Sequence, residues 1–319
     1  MRKMVYAACG AAWLVAGFTN VALADGDTDR VIDRDAVKHF ATLPNGVRFP
    51  EGITADPDSG EVYVGTFDFT SPNKLLRLGR HGQLLAQVDF GGAPLLGLEF
   101  DRRHDKVYIA NLGASKIQRI EAKFHAKTAV EDVAVIPGIG APANRVEGNP
   151  DGSSDTIIFG SNSFPAPNAM VFDRHGNLYV SDSFQGAIFR IDNVAHCTTP
   201  CVPVLVIHDP LLATAGFPPF GANGLALSRD ETTLFVANTG DDRALKLDLA
   251  TNALTVFAES INGADGLARG KRGILWVAAN QGDDMFVTNL ALPLTGAQGD
   301  EPEEDVTRWT ISRIRLPEQ

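Results

Sequence analysis

The chain has 319 residues, of which 44% are hydrophobic and 21% charged, a composition typical of a globular protein. Its formal net charge of -11 argues against nucleic acid or an anionic membrane as a partner, because both bind basic surfaces. An acidic protein can instead hold a cation. The 31 glycines and 18 prolines fit an all-β chain with many turns.

Residues 1–24 have the pattern of a secretory signal peptide. Two basic residues precede an apolar run, Val5 to Phe18, which is too short to span a bilayer as a mature helix. An A-x-A cleavage signature ends at Ala24, so the mature chain is predicted to begin with a flexible segment, residues 25–35. An uncleaved membrane anchor is the alternative interpretation. The expected location is periplasmic or secreted, with no membrane contact after cleavage.

Strand Ala36 to Leu43 is predicted next, and a strand-turn-strand unit then recurs five times. In its clearest copy, Phe220 to Asn238, an Asn-Gly pair leads into an apolar strand, followed by a polar turn and a second apolar strand. The other copies begin at Pro50, Leu96, Pro167 and Ala264. Internal repetition of this kind predicts a repeat architecture.

The second strand of each unit has a bulky apolar anchor, and the anchors are Tyr63, Tyr108, Tyr179, Phe235 and Trp276. Successive anchors lie 45, 71, 56 and 41 residues apart, and the first and last of these steps match the roughly 40 to 50 residues that a four-stranded blade requires. The longest gap contains residues 136–164, rich in Gly, Pro, Asn and Ser, which we interpret as a loop inserted over one face. Residues 36–319 are therefore predicted to form an all-β β-propeller domain.

The two ends of this domain are expected to meet in one blade, with Ala36 to Leu43 completing it and leaving no unpaired edge. A sixth second-strand pattern, Met285 to Leu290, follows Trp276 too closely for blade five to have outer strands. Arg308 to Pro317 alternates like a strand. The prediction is a six-bladed plan with blades five and six shortened.

Two cysteines, Cys197 and Cys201, remain after removal of the signal peptide. In an oxidising compartment, cysteines four positions apart most often form a disulfide, which here would staple a local loop. A metal site would need more soft ligands than the adjacent His196 supplies.

Four oxygen-bearing side chains open the first strands of the repeated units, and they are Glu51, Asn168, Asn223 and Asp265. Blade two has Leu96 there and offers no ligand. The first strand of a propeller blade is innermost, so these side chains are expected to converge at one end of the central channel. Two carboxylates and two amide oxygens suit Ca²⁺ best, with Mg²⁺ or Mn²⁺ as further candidates. Alternatively, the Asn-Gly and Asp-Gly pairs only form turns.

These repeats and motifs resemble the SMP-30/gluconolactonase/LRE-like family of six-bladed propellers over roughly residues 36–317, and more distantly the paraoxonases and strictosidine-synthase-like proteins. The resemblance implies that Glu51 in an EG motif, Asn223 in NGL and Asp265 in DG bind one divalent cation. It also implies that Asn168 lies near the metal or the substrate.

The chemistry implied is hydrolysis of a lactone or related small ester, in which the cation polarises the carbonyl oxygen. Asp265 is the predicted general base. Asp182 is a weaker candidate, for which a solvent-facing strand end is the favoured interpretation. No serine lies in a G-x-S-x-G motif. The alternative function is a non-catalytic propeller that binds a small ligand or a protein partner, because propellers serve both roles.

Overall fold

The structure is a computed structural model that describes residues 37–160, 164–216, 219–259, 261, 263–269, 275–276, 280–281, 284–288 and 310–315. The predicted signal peptide and flexible segment lie outside these residues. No helix among the described residues has the length and apolar character needed to cross a bilayer. Within the ranges described, two short 3₁₀ helices, Leu112–Ala114 and Pro210–Leu212, accompany 24 strands.

The first four blades are four-stranded antiparallel sheets in which spatial order follows chain order. Blade one contains β2 (Pro50–Ala55), β3 (Val62–Thr66), β4 (Asn73–Leu78) and β5 (Leu84–Gly91). Blade two contains β6 (Leu95–Asp101), β7 (Lys106–Asn111), β8 (Lys116–Glu121) and β9 (Glu131–Val135). Blade three contains β12 (Pro167–Phe172), β13 (Leu178–Asp182), β14 (Ala187–Ile191) and β15 (Val204–His208). Blade four contains β16 (Ala222–Leu227), β17 (Thr233–Asn238), β18 (Arg243–Asp248) and β19 (Leu254–Glu259).

The remaining strands form a terminal sheet and two hairpins. The terminal sheet, in the order β1-β24-β23-β22, contains β1 (Val37–Thr42), β22 (Asn280–Gln281), β23 (Asp284–Thr288) and β24 (Thr310–Arg315). The hairpins are β10 (Arg145–Gly148) with β11 (Ser154–Ile157), and β20 (Ala268–Arg269) with β21 (Leu275–Trp276).

Burial along each blade explains why the second strands read as nearly continuous apolar runs. Every residue of β3 and β13 is buried, because these strands are covered on both faces by neighbouring blades. The outermost strand β19 is mostly exposed. Apolar clusters fill the spaces between neighbouring blades, as where Tyr63 of blade one stacks on Phe100 of blade two with ring centroids 5.8 Å apart.

The innermost strands are neighbours in the order β2, β6, β12, β16 and β20, and β2 also contacts β22 and β23. This arrangement confirms the predicted β-propeller. The five strand-turn-strand units are the pairs that begin each blade. Among the described residues, the fifth unit is a two-stranded hairpin, in agreement with the expected loss of its outer strands.

The two ends of the chain meet in the terminal sheet, as predicted. Strand β1 pairs antiparallel with β24, and β23 occupies the second position expected for Met285 to Leu290. The interpretation of residues 136–164 as an irregular loop is wrong in part, because they contain the β10–β11 hairpin. Residues 149–153 form its turn, in which the amide of Gly152 donates to the carbonyl of Asn149 at 2.9 Å.

The sulfur atoms of Cys197 and Cys201 are bonded, and their Cα atoms lie 5.6 Å apart. The loop that they close lies between β14 and β15. The amide of Cys201 donates to the carbonyl of Val133 at 2.7 Å, on the outer strand of blade two. The disulfide therefore staples a blade-three loop where it rests on the neighbouring blade.

Candidate functional site

The innermost strands of blades one to four each have a β-bulge at the same place. In blade one, Pro50 pairs with Thr66 but Ile53 pairs with Val64, so the inner strand accommodates one extra residue. The other three blades repeat this shift between Leu95 and Leu98, Pro167 and Met170, and Ala222 and Leu225. The second residues of these strands lie in the bulges, and they are Glu51, Leu96, Asn168 and Asn223. Bulges re-aim side chains and are frequent next to active sites.

Close approach between neighbouring blades explains the glycine that follows three of these positions. A Cβ atom on Gly52 would lie 2.0 Å from the carbonyl oxygen of Leu96, and one on Gly97 would lie 2.3 Å from that of Asn168. A Cβ atom on Gly224 would lie 2.1 Å from the carbonyl oxygen of Asp265. Each glycine therefore touches the matching position of the next blade. The turn interpretation is wrong for Asn223-Gly224, which lies within strand β16.

The two asparagines are oriented by matching hydrogen-bond relays. The amide nitrogen of Asn168 donates to the Ser183 hydroxyl at 2.8 Å, and this hydroxyl donates to the carbonyl of Ala222 at 2.7 Å. In blade four, the amide nitrogen of Asn223 donates to Thr239 at 2.9 Å, and Thr239 donates to the carbonyl of Ala264 at 2.7 Å.

Each relay ends on the residue that precedes the next candidate ligand. Because each hydroxyl proton is used on a carbonyl, the hydroxyl oxygen must accept from the amide Nδ2. This fixes the amide orientation and leaves Oδ1 of Asn168 and Asn223 directed away from the relay.

The two candidate carboxylates interact across the site. Burial raises the pKa of Glu51 well above its usual range, and the charge of Asp265 raises it further. Burial also raises the pKa of Asp265, against which a hydrogen bond from the Asn223 side chain acts. Because Asp265 keeps contact with solvent while Glu51 Oε2 is buried, we assign the larger effect to Glu51. Two like charges that interact in a partly buried site favour a shared proton or a bound cation.

The residues present fit a hard divalent cation. Glu51 and Asp265 would supply carboxylate oxygens, and Asn168 and Asn223 would supply amide oxygens, the ligand types that Ca²⁺ prefers. Nowhere in the described part of the chain are three or more His, Cys, Asp or Glu side chains placed to hold a metal. A cation at this site would therefore depend on the asparagine oxygens as well as on the two carboxylates.

Asp182 is a structural residue, and its predicted position at a solvent-facing strand end is wrong. It is fully buried and accepts hydrogen bonds from the amides of Ala166, Phe184 and Gln185 and from the side chain of Gln185. These four bonds occupy its oxygens and hold the turn after β13. Asp182 is therefore a poor general base.

Ser183 and Thr239 are site residues that the sequence interpretation missed. Both directly follow the second strand of their blade, at equivalent repeat positions. Aligning the repeats past the strand end would have paired the two hydroxyl residues. Their roles depend on contacts with the next blade, which only the fold reveals.

A buried ion pair ties the loops at the rim together. Arg145 of β10 donates to Asp241 Oδ2 at 2.6 Å and to the carbonyl of Pro210 at 3.0 Å. Thr214 donates to the other oxygen of Asp241 at 2.5 Å. The side chains of Arg145 and Asp241 are only 9% and 8% exposed. The β10–β11 hairpin and residues 210–214 are thus both fixed to the turn between β17 and β18.

Comparison with known proteins shows the fold. A solved structure provisionally named a gluconolactonase matches with a TM-score of 0.50 and 16% identity, over 77% of this chain and 76% of that chain. Virginiamycin B lyase from Staphylococcus aureus matches with a TM-score of 0.45 and 16% identity, over 75% and 80%. A chain of a nidogen/laminin complex matches with a TM-score of 0.49 and 14% identity, over 78% and 79%.

No protein-family model matches the sequence, and no curated protein matches it. At such low identities, the structural likeness establishes the fold alone. The chain is a β-propeller protein. In particular, it shares this fold with the structure provisionally named a gluconolactonase, so the propeller fold that the resemblance implied is confirmed.

Proposed function

We propose that the protein is a periplasmic or secreted hydrolase that opens lactones or related small esters with the help of a divalent cation, Ca²⁺ before Mg²⁺ or Mn²⁺. The observation that carries the proposal is the contact between candidate ligands of neighbouring blades, because the amide of Gly224, next to Asn223, donates to the Asp265 carbonyl at 3.0 Å and the Thr239 relay links Asn223 to Ala264. The charge of Asp265 also raises the pKa of Glu51. The gluconolactonase name of one structural neighbour is in keeping with it.

Each residue would have a distinct role. Glu51, Asn168, Asn223 and Asp265 would hold the cation. A bound divalent cation would supply Lewis-acid polarisation of the substrate carbonyl. Asp265 would accept a proton from water as the water oxygen attacks the carbonyl carbon. The ring carbon–oxygen bond then breaks, and Asp265 returns the proton to the leaving alkoxide oxygen.

A secreted location is supported by two features. The N-terminal sequence has a signal-peptide pattern, and a bonded pair of cysteines suits an oxidising compartment. Export of the full-length chain, followed by N-terminal sequencing of the mature protein, tests this part. A mature protein that starts near Asp25 is expected, whereas retention in the cytoplasm with an intact N-terminus would contradict it.

The catalytic proposal is tested by assaying a lactone panel with and without EDTA, using the wild type, Asp265→Asn and Glu259→Gln. Glu259 is an exposed carboxylate on the outer strand β19 and serves as the matched control. We expect activity that EDTA and Asp265→Asn abolish and that Glu259→Gln retains. Calorimetric Ca²⁺ titration of the same proteins separates binding from catalysis. Calcium binding without turnover on any lactone would favour the non-catalytic alternative.

A further inference from the structure

An apolar surface, here called the apolar wall, lies at the same end of the blades as the candidate ligands. Its members form one cluster, and they are Phe67, Leu96, Leu112, Ala166, Phe184 and Phe220. The ring of Phe220 lies 6.1 Å from that of Phe67 and 5.6 Å from that of Phe184. The ring of Phe69, 73% exposed, lies edge-on to Phe67 at 4.8 Å.

The wall occupies repeat positions that are polar in the other blades. Leu96 lies in the bulge position that Glu51, Asn168 and Asn223 occupy elsewhere. Phe67 and Leu112 directly follow the second strands of blades one and two, where blades three and four have the relay hydroxyls. One end of the propeller is therefore divided, with candidate cation ligands on one side and hydrocarbon side chains on the other.

Direct contacts place the apolar wall beside the candidate cation ligands. The amide of Phe67 donates to the carbonyl of Phe49, two residues before Glu51, at 2.8 Å. The backbone of Leu96 lies against Gly52, the residue after Glu51. Phe184 and Phe220 remain partly exposed, so the wall is a surface as well as a packing layer.

We propose that this wall selects lactones or esters with an alkyl or aromatic substituent over polyhydroxylated sugar lactones, an inference that rests on the proposed function. A substrate carbonyl that lies at the candidate ligands has the wall as its neighbour. Hydroxyl groups placed against the accessible rings of Phe69, Phe184 and Phe220 would lose their hydrogen bonds to water without replacement. An alkyl chain or ring there would instead gain burial of apolar surface.

The test compares kcat and KM for γ-nonalactone, γ-butyrolactone and D-gluconolactone in the wild type, Phe220→Ala, Phe184→Ala and Phe257→Ala. Phe257, on outer strand β19, is 53% exposed and pairs with Phe235 at 5.0 Å, which makes it the matched control. The wild type should prefer γ-nonalactone over the other two by at least about 10-fold in kcat/KM. Phe220→Ala and Phe184→Ala should raise KM for γ-nonalactone about 10-fold and should raise KM for γ-butyrolactone much less. The control variant, Phe257→Ala, should change neither KM.

Binding of pentylcyclopentanone and cyclopentanone, which cannot be hydrolysed, is measured by calorimetry on the same proteins. The proposal is supported if pentylcyclopentanone binds more tightly than cyclopentanone and if Phe220→Ala, but not Phe257→Ala, weakens that binding. A preference for D-gluconolactone, or equal losses on both γ-lactones, overturns the inference while the proposed hydrolase stands. If no lactone is hydrolysed, the proposed function fails, and the ketone pair alone decides whether the wall binds apolar groups.

Discussion

The contact between Gly224 and the backbone of Asp265 leads to a quantitative prediction for Gly224→Ala. The added Cβ would meet the Asp265 carbonyl oxygen at 2.1 Å, the Leu267 amide nitrogen at 2.6 Å and the Gly266 carbonyl carbon at 2.9 Å. All three are backbone atoms, so no side-chain rotation relieves the clash. An ordinary contact requires the Asp265 backbone to retreat by about 1 Å. The amide of Gly224 also donates to that carbonyl at 3.0 Å, a bond that the shift would stretch.

Overpacking of this kind costs about 1–3 kcal/mol, which corresponds to a decrease in Tm of about 2–4 °C per kcal/mol in a domain of this size. Because the same movement displaces the Asp265 carboxylate, Ca²⁺ affinity should fall by about 10-fold or more. Differential scanning calorimetry and calcium titration measure the two effects.

Gly92→Ala provides the control, since no atom lies within 4 Å of its added Cβ. Both substitutions reduce the freedom of the unfolded chain alike, so the difference between them isolates the clash. Equal Tm and equal calcium affinity in the two variants would refute the proposed contact between Asn223-Gly224 and Asp265.

Three further predictions concern the relay, the rim and a buried acid. Thr239→Val keeps the side-chain shape but breaks the relay that orients Asn223, so calorimetry should show weaker Ca²⁺ binding by about 1–3 kcal/mol; unchanged affinity would remove Thr239 from the site. Arg145→Met leaves the buried Asp241 with the Thr214 hydroxyl and one more distant cation, Arg243 at 3.7 Å, and should lower the free energy of unfolding in urea by about 3 kcal/mol; a loss below experimental error would contradict the buried pair. Burial raises the pKa of Glu99 to about 8, so the folded protein retains a proton that the unfolded chain releases near pH 4.3. The free energy of unfolding should fall as pH rises through this window, by up to about 1.4 kcal/mol per pH unit, and Glu99→Gln should flatten the profile; identical slopes would refute the assignment.

The propeller could be predicted because each strand-turn-strand repeat has a recognisable pattern within a short stretch of sequence. Each unit has the same apolar strands around a polar turn, and anchors such as Tyr63 and Phe235 mark the blades. The β10–β11 hairpin was missed, although Asn149-Pro150-Asp151-Gly152 is a strong turn signal between two short alternating runs. The turn itself was predicted, but the loop-like composition of the whole insertion masked the two short strands that flank it.

The candidate ligands could be proposed from repeat phase, but their orientation could not. The bulges depend on pairing with the second strand, and the need for Gly224 arises from the carbonyl of the next blade. Likewise, Ser183 acts through Ala222, a residue of another blade. Asp182 shows the converse, because a strand-end aspartate looks exposed until the turn that folds over it is known.

The pairing of β1 with β24 sets the order in which the terminal sheet can form. Strand β1 is the outer edge of that sheet, and the strand that it joins, β24, follows all four complete blades in the chain. A polypeptide leaving the ribosome cannot form this pair until β24 has emerged. The terminal sheet is therefore completed only after the strands of blades one to four have been made, and deletion of either β1 or β24 removes one side of the pair.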